Sequence, residues 1–153
     1  DFALHHADTI SLVIMAIQEL RQLYHCVFRL QYHLVMVTKY RRKCITGPML
    51  RRLEEIARMT AEKWEASLVE FNGESEHVRM LLELTPKIAP SVFVNNLKTV
   101  TSRLIRKEYG THLARFYHGK KVFWSRSYCL ITVGGAPLSV LRQYIEQQEV
   151  PHD

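Results

Sequence analysis

The chain has 153 residues, of which 47% are hydrophobic and 24% are charged, a composition that fits one globular domain and is far from that of a disordered chain. A net charge of +6 suits a polyanionic partner such as nucleic acid or an anionic membrane surface. The three cysteines are far apart and form no C-x-x-C pair, and the most apolar early run, residues 10–17, is too short to cross a bilayer. We therefore expect a cytoplasmic protein with reduced thiols and no membrane segment.

The first part of the chain predicts a helix, a strand and a second helix. Residues 8–23 begin with a potential N-cap and carry apolar residues at helical spacing. Residues 27–39 are rich in β-branched and aromatic side chains, which is typical of a long strand. The basic cluster 39–43 ends that strand, and after residues 46–48 the stretch to Trp64 predicts an amphipathic helix.

The middle of the chain predicts a β-hairpin followed by a long helix. Residues 67–72 and 77–84 are short apolar runs joined by a polar turn, as in a hairpin with a slightly long loop. Residues 90–108 place apolar residues on a helical period, while basic residues occupy the other positions. This helix is therefore expected to have a basic side.

The last part of the chain predicts a loop, a strand and a final helix. The loop runs through Gly110 and Gly119. Residues 122–133 are β-branched and aromatic and predict a strand, which the sequence GGAP ends. Residues 138–148 return to helical spacing.

The order of elements from residue 27 is strand, helix, strand, strand, helix, strand, helix. This order predicts an α+β fold with a ferredoxin-like βαββαβ core, in which an antiparallel sheet resembling that of RNA-recognition modules has helices on one face. A C-terminal helix and an N-terminal helical extension are added to the core. The open face of such a sheet is compatible with nucleic-acid binding, although the fold alone does not assign it.

Three groups of polar residues could carry chemistry. His77 begins a predicted strand, and the period of two places its side chain on one face with Arg79. Tyr144 and Gln148 are four residues apart on the last helix and therefore share a helix face. The basic cluster 39–43 suits either a solvated loop or phosphate contacts. Each feature on its own more often has a purely structural role.

Five strings match one known pattern in order and spacing. They are YHLVMVTKYRRK (32–43), LVEFNGESEHVRMLLEL (68–84), SVFVNNLKTVTSRLIRKEY (91–109), FWSRSYCLITVGG (123–135) and LRQYIEQQ (141–148). With them the chain resembles the TnpA-type transposases of the smallest bacterial insertion sequences, the IS200-like family of single-tyrosine HUH enzymes. The resemblance covers residues 24–150, which we expect to form the transposase domain. An N-terminal helical extension (1–23) and a tail (151–153) lie outside it.

The resemblance also implies a chemistry and a set of residues. Tyr144 corresponds to the nucleophile, which attacks single-stranded DNA to form a 5′-phosphotyrosine. His77 and Gln148 correspond to ligands of a Mg²⁺ or Mn²⁺ ion, and the second histidine position of the HUH pair is occupied by Arg79. The family implies a homodimer in which the tyrosine helix of one subunit acts in trans, and DNA that carries end hairpins beside single strands.

Arg79 departs from the family pattern, and three consequences are open. We expect first that the protein binds DNA but cleaves it poorly, because two ligands hold Mg²⁺ weakly and Arg79 repels it. Second, Arg79 itself clamps the phosphate and partly replaces the metal. Third, another side chain such as His33 or Glu83 completes the site, although Glu83 lies about 20 Å along the strand from His77.

Several basic residues are candidates for contacts with the DNA backbone. They are Lys39, Arg41, Arg42, Lys98, Arg103 and Arg106. The main competing interpretation is a non-catalytic hairpin-binding protein derived from such a transposase. An unrelated RNA-binding module is disfavoured, since residues 77–84 contain no aromatic side chain for base stacking. A ferredoxin-like metabolic enzyme or regulatory domain has no support from these motifs.

Overall fold

The computed structural model describes residues 11–15, 29–133 and 138–147. In chain order its main elements are β1 (Leu30–Val37), a 3₁₀ turn (Lys39–Arg41), α1 (Gly47–Lys63), β2 (Ser67–Gly73), β3 (His77–Leu84), α2 (Pro90–Glu108), α3 (Gly110–Tyr117), β4 (Cys129–Thr132) and α4 (Leu138–Gln147). The strands form one antiparallel sheet in the order β2-β3-β1-β4. The α+β class and the ferredoxin-like core with an added C-terminal helix are therefore confirmed.

Strand alternation gives the sheet two different faces. Every second residue of β3 is buried, and these residues belong to the main core beneath α1 and α2. The central strand β1 is buried on both sides: Leu34 and Met36 join the main core, whereas Val35 and Val37 form a smaller cluster under α4. The two faces thus have different roles, since the first carries the large core and the second is where α4 packs.

The segment predicted as a loop between Gly110 and Gly119 is instead the helix α3. Leu113 and Tyr117 lie one helical turn apart and are both buried in the main core, which outweighs the low helix propensity of the flanking glycines. The Tyr117 hydroxyl donates to the carbonyl of Lys39 at 2.9 Å. Burial raises the pKa of the Tyr117 hydroxyl, so it stays protonated and keeps this bond at neutral pH.

The predicted strand 122–133 is too long. Only Cys129–Thr132 pairs with β1, and Trp124 makes a single bridge to Thr38. The apolar residues before β4 fill the core from a loop: the Trp124 indole donates to the Thr101 hydroxyl at 2.9 Å, and both side chains are buried. Burial, and not strand pairing, explains their composition.

The other predicted elements agree with the structure within a few residues. β1 begins at Leu30 and ends at Val37, so the prediction of 27–39 is too long at its C-terminal end, and residues 27–28 lie outside the described part. Residues 11–15 are helical, with exposed apolar side chains, and the rest of the predicted helix 8–23 lies outside the described residues. The proposed domain limits at 1–23, 24–150 and 151–153 stay predictions. Among the described residues, no helix is long and apolar enough to cross a membrane.

Gly73 ends β2 directly against the start of β3. A methyl group added at Gly73 would lie 2.7 Å from the backbone oxygen of His77 and 2.6 Å from Cδ1 of Leu50. The leucine side chain can move aside, but the backbone oxygen is held in the sheet. The hairpin therefore needs a residue without a Cβ at this position.

We expect Gly73→Ala to lower the free energy of unfolding by about 1–3 kcal/mol, because a methyl group there overpacks the backbone that carries His77. Urea unfolding followed by circular dichroism measures the loss. Gly110→Ala is the matched control, since an added Cβ at Gly110 meets nothing within 4 Å. Equal stability of the two variants would show that the hairpin tolerates a side chain at Gly73.

Candidate active site

His77 and Arg79 lie side by side on the sheet face that α4 covers. In the register of the sheet, Val37 is opposite His77 and Val35 is opposite Arg79. The two valines form the small cluster under α4, so the alternate positions of β3 face the same side. The prediction that His77 and Arg79 share a face is confirmed, and their Cα atoms are about 7 Å apart along the strand.

The neighbouring Glu76 fixes the His77 ring. Nδ1 of His77 lies 2.7 Å from Oε1 of Glu76, and Glu76 is only 7% exposed. The Ser75 hydroxyl donates to the other carboxylate oxygen at 3.3 Å, and Thr38 donates to the Glu76 carbonyl from its amide at 2.9 Å. Because an ionised carboxylate only accepts, Nδ1 is the protonated nitrogen and Nε2 is left to bind a ligand.

A polar cleft of about 490 Å³ opens beside these residues. We call it the His77 cleft. Its charged lining comes from β3, the turn before β3, α4, and residues 41–43 after β1. Four residues of the lining are basic, namely Arg41, Lys43, Arg79 and Arg142, and three are acidic, namely Glu74, Glu76 and Glu146.

Tyr144 lies on the same sheet face but outside the lining of the His77 cleft. Its ring packs with Ile145 against Val35 and Val37. Its hydroxyl is 3.0 Å from the hydroxyl of Ser127. Ile145, the next residue, does line the cleft, so α4 separates the tyrosine side from the histidine side of this face.

The residues do not reproduce the metal site that the family resemblance implies. Arg79 stands at the second histidine position, and a guanidinium has no lone pair to donate and carries a charge that repels a cation. Gln148 lies outside the described residues. Glu74, Glu76 and His77 do bring ligand atoms within 4.8 Å of one another, but one nitrogen of His77 is already engaged by Glu76.

The candidate DNA-binding residues do not all lie together. Arg41 lines the His77 cleft, whereas Arg42 is exposed, with its guanidinium 5.7 Å from the centre of the Tyr40 ring. The others line a second groove, of about 470 Å³, between α2 and the loop before β4. We call it the basic groove, and its basic residues are Lys39, Lys98, Arg103, Arg106, Lys121 and Arg126.

Two lysines of the basic groove also have structural contacts. Lys39 is only 7% exposed, with its ammonium 5.4 Å from the centre of the Tyr40 ring. The Lys98 ammonium donates to the carbonyls of Ser125 and Arg126, at 2.8 Å each, and so ties the loop to α2. Arg103 and Lys121 are exposed, and we rank them above these two lysines as phosphate contacts.

The comparison with known families decides what kind of protein this is. A family model described as "Transposase IS200 like" matches residues 26–148, which is most of the chain. The chain belongs to the IS200-like transposase family. The predicted family is thus confirmed.

Two curated relatives of the family cover most of the chain. It is 30% identical over 128 residues to the transposase of insertion sequence element IS200 from Salmonella typhimurium, covering 84% of this chain and 82% of the relative. It is also 30% identical over 122 residues to the ISDra2 transposase TnpA of Deinococcus radiodurans, covering 80% of this chain and 86% of the relative.

Solved structures of transposases share the fold. A crystal structure of a candidate transposase from Deinococcus radiodurans R1 has a TM-score of 0.74 and 31% identity, and the match covers 82% of this chain and 95% of that chain. A REP-associated tyrosine transposase bound to a REP hairpin has a TM-score of 0.51 and 10% identity, with 76% of this chain and 62% of that chain covered. At this identity, the similarity to the REP-associated transposase shows a shared fold and nothing more.

Sequence reasoning did not single out three residues of this site. They are Glu76, Ser127 and Arg142. Glu76 and His77 are adjacent in the sequence, and a carboxylate next to a candidate ligand histidine could have indicated this pair. Ser127 and Arg142 had no comparable signal, since only the packing of α4 on the sheet places them.

Proposed function

We propose that this transposase cleaves and rejoins single-stranded DNA at the ends of an insertion sequence, with Tyr144 as the nucleophile. The main support is the packing of α4 on the sheet face that carries His77, which puts both residues on one side of the molecule. The position of Tyr144 within the matched family region adds to it. His77, Arg79 and the basic groove then serve to bind and activate the DNA.

The proposed reaction exchanges one phosphoester for another. The Tyr144 oxygen forms a bond to the phosphorus and the bond from phosphorus to the 3′ oxygen breaks. The fragment downstream of the break is then joined to the tyrosine through its 5′ phosphate. The phenol proton passes to the solvent, and the departing 3′ oxygen takes up a proton to become a hydroxyl. Attack by another 3′-hydroxyl reverses these steps, so rejoining needs no nucleotide cofactor.

The cofactor that the resemblance implies is Mg²⁺ or Mn²⁺. His77, through Nε2, and Gln148 would be its protein ligands. Such an ion acts as a Lewis acid on a phosphate. Since Arg79 removes one ligand and adds a like charge, we propose that binding of Mg²⁺ or Mn²⁺ is weak or absent here.

We further propose a homodimer in which Tyr144 acts in trans. The Tyr144 hydroxyl is hydrogen-bonded to Ser127 of its own chain, and Tyr144 does not line the His77 cleft of that chain. In this position it is not placed to attack a phosphate bound in that cleft. The two glycines in 134–137 are suited to a change in the path of the chain before α4. A tyrosine from a second copy could then enter the cleft.

The DNA is proposed to contact both basic surfaces. The basic groove, with six basic residues along its wall, suits the phosphates of a hairpin, and the His77 cleft suits the single strand to be cut. The proposed contacts are Lys39, Arg41, Arg42, Lys98, Arg103 and Arg106. We add Lys121 and Arg126 as candidates because they line the same groove.

The second candidate function is a non-catalytic protein that binds hairpin DNA. Arg79 is the observation that favours it, since this residue removes a ligand of the implied metal. The two functions share the basic groove and differ only in the use of Tyr144. A cleavage assay separates them.

We expect a covalent protein–DNA adduct with Tyr144 intact and none with Tyr144→Phe. Single-stranded DNA from the element ends, labelled at its 3′ end, keeps the label on the protein, and a denaturing gel detects the adduct. Tyr144→Phe keeps the ring packed on Val35 and Val37, so its fold is preserved. Tyr109→Phe is the control and retains the adduct. Absence of an adduct with every version supports the non-catalytic function.

We expect Arg103→Ala and Lys121→Ala each to weaken binding of hairpin DNA and to make the slope of log K against log salt shallower by about 0.9, since each loses one phosphate contact. Fluorescence anisotropy at several salt concentrations measures both quantities. Lys63→Ala, at the end of α1, removes an exposed charge outside the groove and leaves the slope unchanged. Unchanged slopes for the two groove variants would place the hairpin elsewhere.

Mixing two inactive variants tests whether Tyr144 acts in trans. His77→Ala and Tyr144→Phe are each expected to form no adduct. In a mixed dimer, the tyrosine of the first variant meets the intact His77 of the second, so mixing restores adduct formation. The label is then found only on the His77→Ala subunit, which a size tag identifies. If mixing restores nothing while each variant still dimerises, Tyr144 acts within its own chain.

A further inference from the structure

Arg79 is a half-buried residue whose side chain lines a cleft. It lines the His77 cleft, and acidic residues line the same cleft. Within 29–133 and 138–147, however, its side chain has neither a hydrogen bond nor an ion pair, and every buried polar side-chain atom there is bonded. Among the described residues, the Arg79 donors are therefore unused beside the cleft that this residue lines, an arrangement suited to binding an anion.

The charged residues that line the His77 cleft favour an anion over a cation. Four basic residues line the His77 cleft against three acidic ones. One of these carboxylates, that of Glu76, is already engaged by Nδ1 of His77 at 2.7 Å. A phosphodiester entering the cleft therefore meets an excess of positive charge.

We infer, on the basis of the proposed function, that Arg79 binds the scissile phosphate and supplies the positive charge that a metal ion supplies in the resembled family. A guanidinium can donate two parallel hydrogen bonds to the two non-bridging oxygens of a phosphodiester. Those oxygens carry the charge of the transition state while the Tyr144 oxygen attacks, and arginines have this role in other phosphoryl-transfer enzymes. In this chain the substitution at the second histidine position changes the means of catalysis and does not abolish it.

The alternative is a cation held by Glu74, Glu76 and His77. Their ligand atoms lie within 4.8 Å of one another, and carboxylates are preferred ligands of Mg²⁺. In that case Arg79 would be a neighbour of the ion and not its replacement. The two assignments differ in two measurable properties, namely the response to chelation and the effect of neutralising Glu74.

The first experiment measures DNA binding without metal. Single-stranded DNA from the element ends is titrated in EDTA at several salt concentrations, with all proteins carrying Tyr144→Phe so that no cleavage intervenes. Arg79→Gln is expected to make the slope of log K against log salt shallower by about 0.7, the value for one lost contact with single-stranded DNA. Arg51→Gln, an exposed arginine of α1, is the matched control and keeps the original slope.

The second experiment measures adduct formation with EDTA and with Mn²⁺. The natural chain is expected to form the adduct at the same rate in both, and Arg79→Gln to form it about 100-fold to 1,000-fold more slowly in both. Arg79→His regains the rate only with Mn²⁺, because an imidazole restores a ligand and removes the fixed charge. Electron paramagnetic resonance of Mn²⁺ should show tighter binding to Arg79→His than to the natural chain.

The outcomes separate this inference from the proposed function. Equal salt slopes for the Arg79→Gln and Arg51→Gln proteins would overturn the role of Arg79 in phosphate binding, whatever the cleavage assay shows. An adduct that forms in the natural chain only with Mn²⁺, and is lost in Glu74→Gln, would overturn it in favour of the cation. No adduct in any version, with a slope that still depends on Arg79, would refute cleavage and confirm the phosphate contact.

Discussion

The burial of β1 on both faces of the sheet is the constraint on which this molecule depends. As the central strand pairs with β3 on one side and β4 on the other, its side chains must alternate between two apolar environments. One environment is the large core under α1 and α2. The other is small and is formed with residues of β4 and α4. The strand that organises the fold therefore also decides where the tyrosine helix rests.

The same alternation separates the residues of β3 that stabilise the core from the polar residues that are candidates for function. On β3, the residues that face the main core are all apolar, and the opposite positions hold His77 and Arg79. A polar residue is costly on the first side and acceptable on the second, where solvent and charged partners reach it. The candidate residues of β3 thus occupy positions that the main core does not use.

Much of the fold follows from the sequence because its signals are local. The helix at 90–108 and the strand at 77–84 match the structure at both ends, since each combines a clear apolar period with a turn or a proline at its start. The elements that were predicted wrongly depend on contacts between distant parts of the chain. α3 was missed because two glycines suggested a loop, whereas distant packing of Leu113 and Tyr117 stabilises a helix. The length of β4 was overestimated because core-filling loop residues have the composition of a strand.

The site was only partly predictable for a related reason. The shared face of His77 and Arg79 follows from a period of two, which needs no knowledge of other elements. The bond between Tyr144 and Ser127, and the entry of Arg142 into the His77 cleft, depend on how α4 lies across the sheet. No local pattern encodes that placement, because it is decided by apolar contacts between segments far apart in the chain.

The outward direction of Arg79 has a consequence for how such a protein evolves. Its side chain ends in a cleft and not in the core, so an exchange of histidine for arginine there leaves the packing of β3 intact. Protein quality control removes chains that unfold, and it has no means of detecting this change. Only the success of the element in copying itself tests the residue. Mobile elements can therefore accumulate folded transposases whose chemistry has changed, and such copies remain competitors for the same DNA ends.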